Sequence, residues 1–329
     1  MPLTTVTSDP EALTITVIGE YPVPVERLFG AYLDPRQLEK FWGPEQWPAT
    51  FTRHDAAPGG RSEYFMTGPE GERSAGYWTW LAVDAPVSFE VEDGFAHEDG
   101  SNNTELPAMR MVFTFEPLAG GSRFTSVTHF GSLEALQTVV DMGMEEGLRS
   151  AMSQMDAVLA DLESFAAGRA VGAQLVSDTQ VRVSRVIRGT VEQVWRAHHD
   201  ADLMKRWLLG PDGWTMPVCE IAENVGDTYR YEWAPTVGGP ADGAPPFGFT
   251  GELLESAPPY REVTTETMIG MEGPGTVNAL TLTPVEGGTL LSLVITYPTM
   301  ELRDMILGTG MTDGMETSYA RLEQELVGA

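Results

Sequence analysis

The segment VERLFGAYLDPRQLEKFWGPEQW, residues 25–47, is matched 166 residues later by VEQVWRAHHDADLMKRWLLGPDGW, residues 191–214. Both segments begin with Val-Glu, keep a central aspartate and a Gly-Pro pair, and end on tryptophan. Further along, Gly143-Met144-x-x-Gly147 is matched by Gly310-Met311-x-x-Gly314. The units of solenoid repeats are much shorter, at roughly 20–50 residues. The chain therefore contains two copies of one domain in tandem.

Length and composition agree with two globular domains. A chain of 329 residues is about twice the typical domain length of roughly 150 residues, and each half is long enough for its own core. The formal charge of −28 at pH 7 predicts repulsion from nucleic acids and anionic membranes, so neither is expected as a partner. Residues 1–10 lack the features of a signal peptide, and no apolar run of about 18 residues occurs. A cytoplasmic location is expected.

Hydrophobic periodicity predicts the same order of elements in each half. In the first half, an alternating strand at 13–18 precedes two short helices, the second of which ends at Gly43-Pro44. Turn residues then separate six strand-like runs, at 48–54, 60–67, 74–84, 87–95, 108–117 and 122–130. A helical period follows, with an apolar stripe formed by Met144, Leu148, Met152, Met155, Leu159 and Leu162. The second half repeats this order from about Gln180.

This order predicts an α+β fold that is built twice. Residues 1–165 and 180–329 are each expected to form a curved antiparallel sheet of about seven strands, with residues 166–179 as a linker. Each sheet would wrap around the long C-terminal helix, and the two short helices would close one end. A single helix does not cover so large a sheet completely, so an internal space is expected in each domain.

The element order, together with Phe41-Trp42-Gly43-Pro44 after the second helix, resembles the START-like helix-grip (SRPBCC) superfamily. Within it, the chain is similar to the branch named for the activator of the Hsp90 ATPase, which also contains polyketide cyclases. The resemblance covers about 13–164 and 180–327. One departure is that the usual Gly-Trp pair of the last helix is replaced by Gly147-Leu148 and Gly314-Met315. A missing indole in each copy predicts additional internal space.

The resemblance implies binding, and in some members cofactor-free cyclisation, of a hydrophobic small molecule such as a polyketide or polyene. Related domains serve in biosynthesis or self-resistance in bacterial antibiotic pathways, including those of enediynes such as dynemicin. Catalysis and simple binding or sequestration both stay open. The alternative that the branch name implies is a chaperone-regulating interaction module, and protein partners are not identified. No cofactor is expected. Metal-ligand spacing is absent from the sequence, and the single cysteine, Cys219, has no second thiol with which to bind a metal.

Aromatic, aliphatic and methionine residues are expected to line the two interiors, where they serve either as core packing or as a pliable wall for an apolar ligand. In the first domain these residues are Trp42, Phe65, Tyr77, Phe113, Phe115, Ser126, Thr128, Met144, Leu148 and Met152. In the second they are Tyr229, Tyr231, Trp233, Phe249, Leu280, Leu282, Leu293, Met311, Met315 and Tyr319.

The last strand of each half indicates which hydroxyl groups face inward. Leu293 and Ile295 alternate on a strand of the second half and are expected to be buried; the repeat register places Ser126 and Thr128 at the same positions. These hydroxyls would bond either to backbone and water or to polar groups of a ligand. The neighbouring His129 is then predicted to face outward.

Few residues are candidates for acid–base chemistry. His198 and His199 are adjacent on a predicted helix, point in different directions and are interpreted as solvated helix residues. Glu63 shares a predicted strand face with Phe65. A partly buried carboxyl there would be a candidate acid or base with a raised pKa.

Trp78 and Trp80 alternate with Tyr77 and Leu81. If Tyr77 and Leu81 face inward, both indole rings face outward, where aromatic pairs commonly mark contact surfaces. The pair is therefore predicted to form an interface between the two domains. The alternative is that the strand phase is reversed and both rings lie in the core.

Overall fold

The computed structural model describes residues 4–97 and 99–327, and its contacts divide the chain into Met1–Glu163 (unit 1) and Ser164–Ala329 (unit 2). Each unit contains one eight-stranded antiparallel sheet and its helices. The predicted tandem α+β fold is confirmed, with eight strands in place of about seven. The additional strand is a short N-terminal edge strand in each unit.

Unit 1 contains the elements β1 (Thr4–Asp9), β2 (Thr14–Tyr21), α1 (Val25–Leu33), α2 (Pro35–Leu38), β3 (Ala49–His54), β4 (Arg61–Thr67), β5 (Arg73–Asp84), β6 (Ser88–Ala96), β7 (Met109–Leu118), β8 (Gly121–His129), α3 (Leu133–Asp141), α4 (Met144–Ala160) and α5 (Leu162–Ala167). Helix α5 begins in unit 1 and ends in unit 2. The strand order is β1-β2-β8-β7-β6-β5-β4-β3. Apart from β2 against β8, neighbouring strands are consecutive in the chain, so the sheet is a meander that closes on its own N-terminal hairpin.

Unit 2 contains β9 (Gly172–Leu175), β10 (Gln180–Ile187), α6 (Val191–His198), α7 (Ala201–Trp207), β11 (Trp214–Glu220), β12 (Thr228–Pro235), β13 (Phe247–Ala257), β14 (Arg261–Met268), β15 (Thr276–Val285), β16 (Gly288–Thr296), α8 (Met300–Leu307) and α9 (Met311–Val327). The strand order β11-β12-β13-β14-β15-β16-β10-β9 reproduces the topology of unit 1. Strand β9 lies within residues 166–179 and pairs with β10. No helix of the described residues is both long and apolar enough to cross a membrane.

Local sequence explains why the short helices begin and end where they do. Asp34 ends α1 and caps α2, because its side chain accepts a hydrogen bond from the Arg36 backbone N–H at 3.0 Å. In unit 2, Thr190 and Gln193 form a reciprocal capping box at the start of α6. Asp200 likewise accepts hydrogen bonds from two backbone N–H groups at the start of α7.

The repeated Gly-Pro turn packs directly on the long helix of its own unit. A Cβ atom at Gly147 of α4 would lie 3.5 Å from Pro44, and one at Gly314 of α9 would lie 3.8 Å from Pro211. In unit 1, Gln154 also donates a hydrogen bond to the Gly43 carbonyl at 2.8 Å. The turn therefore helps to position the long helix of its unit in both copies.

The two units attach their long helix to the second strand in different ways. In unit 2, the buried Arg185 guanidinium of β10 lies 3.0 Å from Glu316 and 3.1 Å from Glu323 of α9. Gly19 of β2 occupies the corresponding position in unit 1, since it pairs with Phe124 as Arg185 pairs with Leu291. The space is filled there by the Tyr21 ring, which lies 2.8 Å from the position of a Cβ at Gly19.

We expect Arg185→Ala to destabilise unit 2 by about 2–3 kcal/mol, because it removes the buried cation that pairs with Glu316 and Glu323 and leaves Glu323 with only the exposed Arg188. Arg188→Ala is a matched control, since Arg188 also contacts Glu323, at 3.2 Å, but is largely exposed. Its removal should cost less than about 1 kcal/mol. Urea unfolding followed by circular dichroism measures both changes. Equal losses of stability in the two variants would contradict this account of the cluster.

Candidate functional site

The strand pairs show which inward-facing residues occupy equivalent positions in the two units. Trp78 lies opposite Ser62 in unit 1, and Gly251 lies opposite Tyr229 in unit 2. In the same way, the pairs that β6 forms with β7 correspond to the pairs that β14 forms with β15. By this register Phe89, Val91, Asp93 and Met111 of unit 1 correspond to Glu262, Thr264, Glu266 and Asn278 of unit 2.

Aromatic rings fill the interior of unit 1. The rings of Phe89 and Phe113 stack at 4.3 Å between centroids, and Tyr32 packs against Phe113 at 5.5 Å. Trp78 and Trp80 are fully buried in the same core. The predicted outward orientation of these two tryptophans is therefore wrong. Both rings lie in the core, as the alternative strand phase predicts, and they do not form the predicted contact surface. Leu81, which was expected inside, is 46% exposed.

Three residues predicted inside unit 1 lie on the outer face of the sheet. Ser62, Tyr64 and Met66 face the core on β4, so Glu63 and Phe65 point the other way. The Arg73 guanidinium lies 4.2 Å above the Phe65 ring, and Arg61 lies 4.4 Å above Tyr77. Glu63 forms an ion pair with Arg61 at 2.8 Å. The predictions that Phe65 and Tyr77 line the interior and that Glu63 is an internal acid are wrong. Arginine side chains cover these residues outside the core.

The prediction for the last strand of unit 1 is confirmed. Ser126 and Thr128 are buried and His129 is exposed. Among the described residues, the Ser126 hydroxyl has no hydrogen-bond partner. The other residues predicted inside unit 1 pack in or against its core: Trp42, Phe113, Phe115, Met144, Leu148 and Met152.

A buried acid of unit 1, Asp93, was missed in the sequence. Its carboxyl accepts a hydrogen bond from the Tyr64 hydroxyl at 3.1 Å, and it lies opposite Trp78 in the strand pair. Burial raises the pKa of Asp93 to about 7, although hydrogen bonding from Tyr64 and the approach of the Trp78 indole favour its charged form. The alternation of Phe89 and Val91 along β6 was the signal that could have placed Asp93 inside.

Unit 2 has smaller or polar side chains where unit 1 has large apolar ones. Gly251 replaces Trp78, and the Tyr229 ring covers part of that space, 2.8 Å from the position of a Cβ at Gly251. Glu262 replaces Phe89, and Asn278 replaces Met111. Consistent with this, several inward side chains of unit 2 remain partly exposed, whereas their counterparts in the sheet of unit 1 are mostly buried. The partly exposed residues are Tyr231, Phe249, Glu262, Thr264, Glu266, Asn278, Leu293, Met311 and Met315. The interior of unit 2 is therefore the more open of the two.

The residues predicted to line unit 2 all lie on its inner side. Tyr229, Tyr231 and Trp233 form a row of rings, with centroids 4.8 Å and 6.4 Å apart, and Phe249 packs beside Trp233 at 5.9 Å. The remaining six are aliphatic, methionine and tyrosine residues of the sheet and of α9: Leu280, Leu282, Leu293, Met311, Met315 and Tyr319.

Glu266 is the inner acid of unit 2, at the position that Asp93 occupies in unit 1. The Tyr229 hydroxyl lies 3.4 Å from its Oε2 atom. Burial raises the pKa of Glu266, and its hydrogen bonds with Asn278 and Tyr229 only partly offset this effect. Sequence reasoning missed this acid because Glu262, Thr264 and Glu266 share the inward face of β14, and no apolar residue among them marks that face.

The two adjacent histidines are not solvated as predicted. His198 packs on Trp207 with ring centroids 4.7 Å apart, and burial lowers its pKa to about 4. His199 stacks on Trp195 at 4.0 Å, and its Nε2 atom lies 2.8 Å from a Glu262 oxygen. Partnership with Glu262 outweighs burial and raises the pKa of His199. The described residues contain no group of three or more His, Cys, Asp or Glu side chains arranged to hold a metal ion.

Comparison with known proteins identifies the family. The model described as "Activator of Hsp90 ATPase homolog 1-like protein" matches residues 22–160 and again residues 188–327. The chain belongs to this family. No curated protein matches the chain significantly.

Solved structures similar to this Hsp90-activator-like chain each match about half of it. Protein Ms6760 from Mycobacterium smegmatis is 52% identical over 48% of this chain and 97% of its own, with a TM-score of 0.45. A protein from Arthrobacter aurescens is 42% identical over 48% and 91%, with a TM-score of 0.46. The AHSA1 protein from Silicibacter pomeroyi is 24% identical over 46% and 99%, with a TM-score of 0.38.

The buried Asp93 makes the stability of this Hsp90-activator-like protein pH-dependent. Its pKa is about 7 in the fold against an ordinary value of 3.8 for an aspartate carboxyl, so the folded state holds the proton more tightly. The stability contributed by that proton is fully present below the lower value and is lost as pH rises through the higher one. Asp93→Asn keeps the shape but removes the titration. We expect the free energy of unfolding of this variant, relative to that of the native protein, to increase by about 3 kcal/mol from about pH 5 to about pH 8.5.

Urea unfolding followed by tryptophan fluorescence at the two pH values measures this difference. The exposed Asp84 provides the control, because Asp84→Asn removes the same charge from the surface. If the difference in free energy of unfolding between Asp93→Asn and the native protein does not change with pH, the buried carboxyl does not titrate in this range.

Proposed function

We propose that this protein binds a hydrophobic small molecule inside unit 2. The observation that carries the proposal is the partial exposure of inward side chains from three places around one interior: Tyr231 on β12, Asn278 on β15, and Met315 on α9. Side chains that face the core of a domain without a ligand site are normally closely packed and buried. An apolar interior that contains a few polar groups has the composition of a small-molecule site.

The lining favours a flat, extended ligand. Four rings on neighbouring strands form one wall, and Met311 and Met315 of α9 pack in the same unit against residues of β10 and β16. Aromatic faces stack on planar conjugated groups, while methionine adapts to irregular apolar shapes. We therefore propose a polyketide or polyene intermediate of a bacterial antibiotic pathway, as in enediyne biosynthesis, as the ligand. Such a site serves either processing of the intermediate or self-resistance by sequestration.

The alternative function, a chaperone-regulating interaction module, is favoured by one observation in unit 1. Its interior is filled by Tyr32, Trp78, Phe89 and Phe113, so this unit is stable without a ligand. A domain with a filled core acts through its surface. The two functions are compatible if unit 1 contacts a protein and unit 2 holds the small molecule.

We expect the native chain to bind the neutral fluorescent probe N-phenyl-1-naphthylamine at one site per chain. Asn278→Trp should weaken this binding by about tenfold or more, because the added indole occupies the space next to Glu266. Val277→Trp is the matched control, since Val277 is the preceding residue of β15, faces outward and is 37% exposed. It should change the affinity by less than about twofold.

Fluorescence titration of the three proteins provides the measurement, and circular dichroism verifies that each is folded. If the native protein does not bind the probe, or if both tryptophan variants bind equally well, the ligand site is not the interior of unit 2. Two sites per chain would show that unit 1 also binds.

A further inference from the structure

Glu266 brings a carboxyl into unit 2 without a cationic partner. Within residues 4–97 and 99–327, no arginine, lysine or histidine forms an ion pair with it. Other charged groups of this interior are already paired: Glu262 with His199 at 2.8 Å, and Arg185 with glutamates of α9. Glu266 is therefore the group whose charge remains available to a ligand.

The hydrogen bonds around Glu266 leave its carboxyl incompletely satisfied. A tyrosine hydroxyl has a single hydrogen, and that of Tyr229 has a better acceptor in the Thr265 carbonyl, at 2.9 Å, than in Glu266, at 3.4 Å. The Asn278 side chain is the other neighbour of the carboxyl. Its own oxygen already accepts a hydrogen bond from Thr276 at 3.1 Å, so it presents its amide hydrogens. Glu266 retains acceptor capacity on a partly exposed side chain.

Aromatic rings adjoin this carboxyl. Tyr229 is in contact with it, and the Tyr231 ring lies 4.8 Å from the Tyr229 ring on the same strand face. The contact with Tyr229 is through its hydroxyl, so a phenol oxygen lies next to the carboxyl. An unpaired carboxylate beside a phenol oxygen suits an organic ammonium group, because the carboxylate supplies the opposite charge and the hydroxyl oxygen accepts a hydrogen bond.

We infer that unit 2 selects its ligand by charge: a hydrophobic molecule with a protonated amine binds with its ammonium group at Glu266, and one with a carboxylate is excluded. This inference rests on the proposed ligand site. An ammonium group offers three hydrogen-bond donors and the missing opposite charge. A carboxylate would meet a like charge in a poorly solvated place or would have to carry a proton in with it, and both cost free energy.

Three ligands that differ only in the head group test the inference: decylamine, decanol and decanoate, each used to displace N-phenyl-1-naphthylamine from the full chain at about pH 8. The native protein should bind decylamine about tenfold more tightly than decanoate, with decanol between them. Glu266→Gln should reduce this preference to about twofold or less.

Two control variants separate the local effect from the general acidity of the protein. Glu252→Gln removes an exposed charge from the outer face of β13. Asp93→Asn removes the corresponding acid of unit 1, which is sealed beneath Trp78. Both should preserve the native preference for the amine. If Glu266→Gln also preserves it, or if Glu252→Gln abolishes it equally, the inference is overturned while the binding site stands. If the native protein does not bind the probe at all, the proposed function itself fails.

Discussion

One long helix has to cover the concave face of an eight-stranded sheet in each unit, and the rest of the structure depends on this constraint. The Gly-Pro turn positions the helix, since Pro44 packs on Gly147 and Pro211 on Gly314. A single helix of about 10 Å diameter leaves part of so wide a face uncovered. Inward side chains of the sheet have to fill what remains. The identity of those side chains decides whether a unit is solid or open.

The two copies satisfy this constraint in opposite ways. Unit 1 fills the space with stacked rings such as Phe89 and Phe113 and with the Trp78 indole. Unit 2 has Gly251, partly covered by the Tyr229 ring, in place of that indole, and Glu262 in place of Phe89. Burying rings yields stability through apolar area, whereas an open polar interior gives up part of that stability and creates a place for a ligand.

Both interiors retain a carboxyl at the same strand position, and its surroundings differ. Asp93 is sealed between Trp78 and Tyr64, so its carboxyl interacts only with the protein. Glu266 is partly exposed, and the Tyr229 hydroxyl has a better acceptor elsewhere. Burial raises the pKa of both acids. In unit 1 the acid makes stability depend on pH, whereas in unit 2 it is the group that we propose for ligand recognition.

The sequence by itself determined the tandem fold, the bounds of the strands of unit 1 other than β1 to within about three residues, and the inward direction of Ser126 and Thr128, because alternation and turn residues are local signals. It misjudged β5, where the adjacent aromatic residues Tyr77 and Trp78 compete for the inner face, although the polar Thr79 between the two tryptophans marks the outer face. It could not equate Trp78 with Gly251, because the loop at 236–246 is longer than its counterpart at 68–72 and the constant repeat offset fails there. Only the tertiary structure showed that Glu266 lies inside, since strand pairing across β13 and β15, rather than its own neighbours, directs that carboxyl into unit 2.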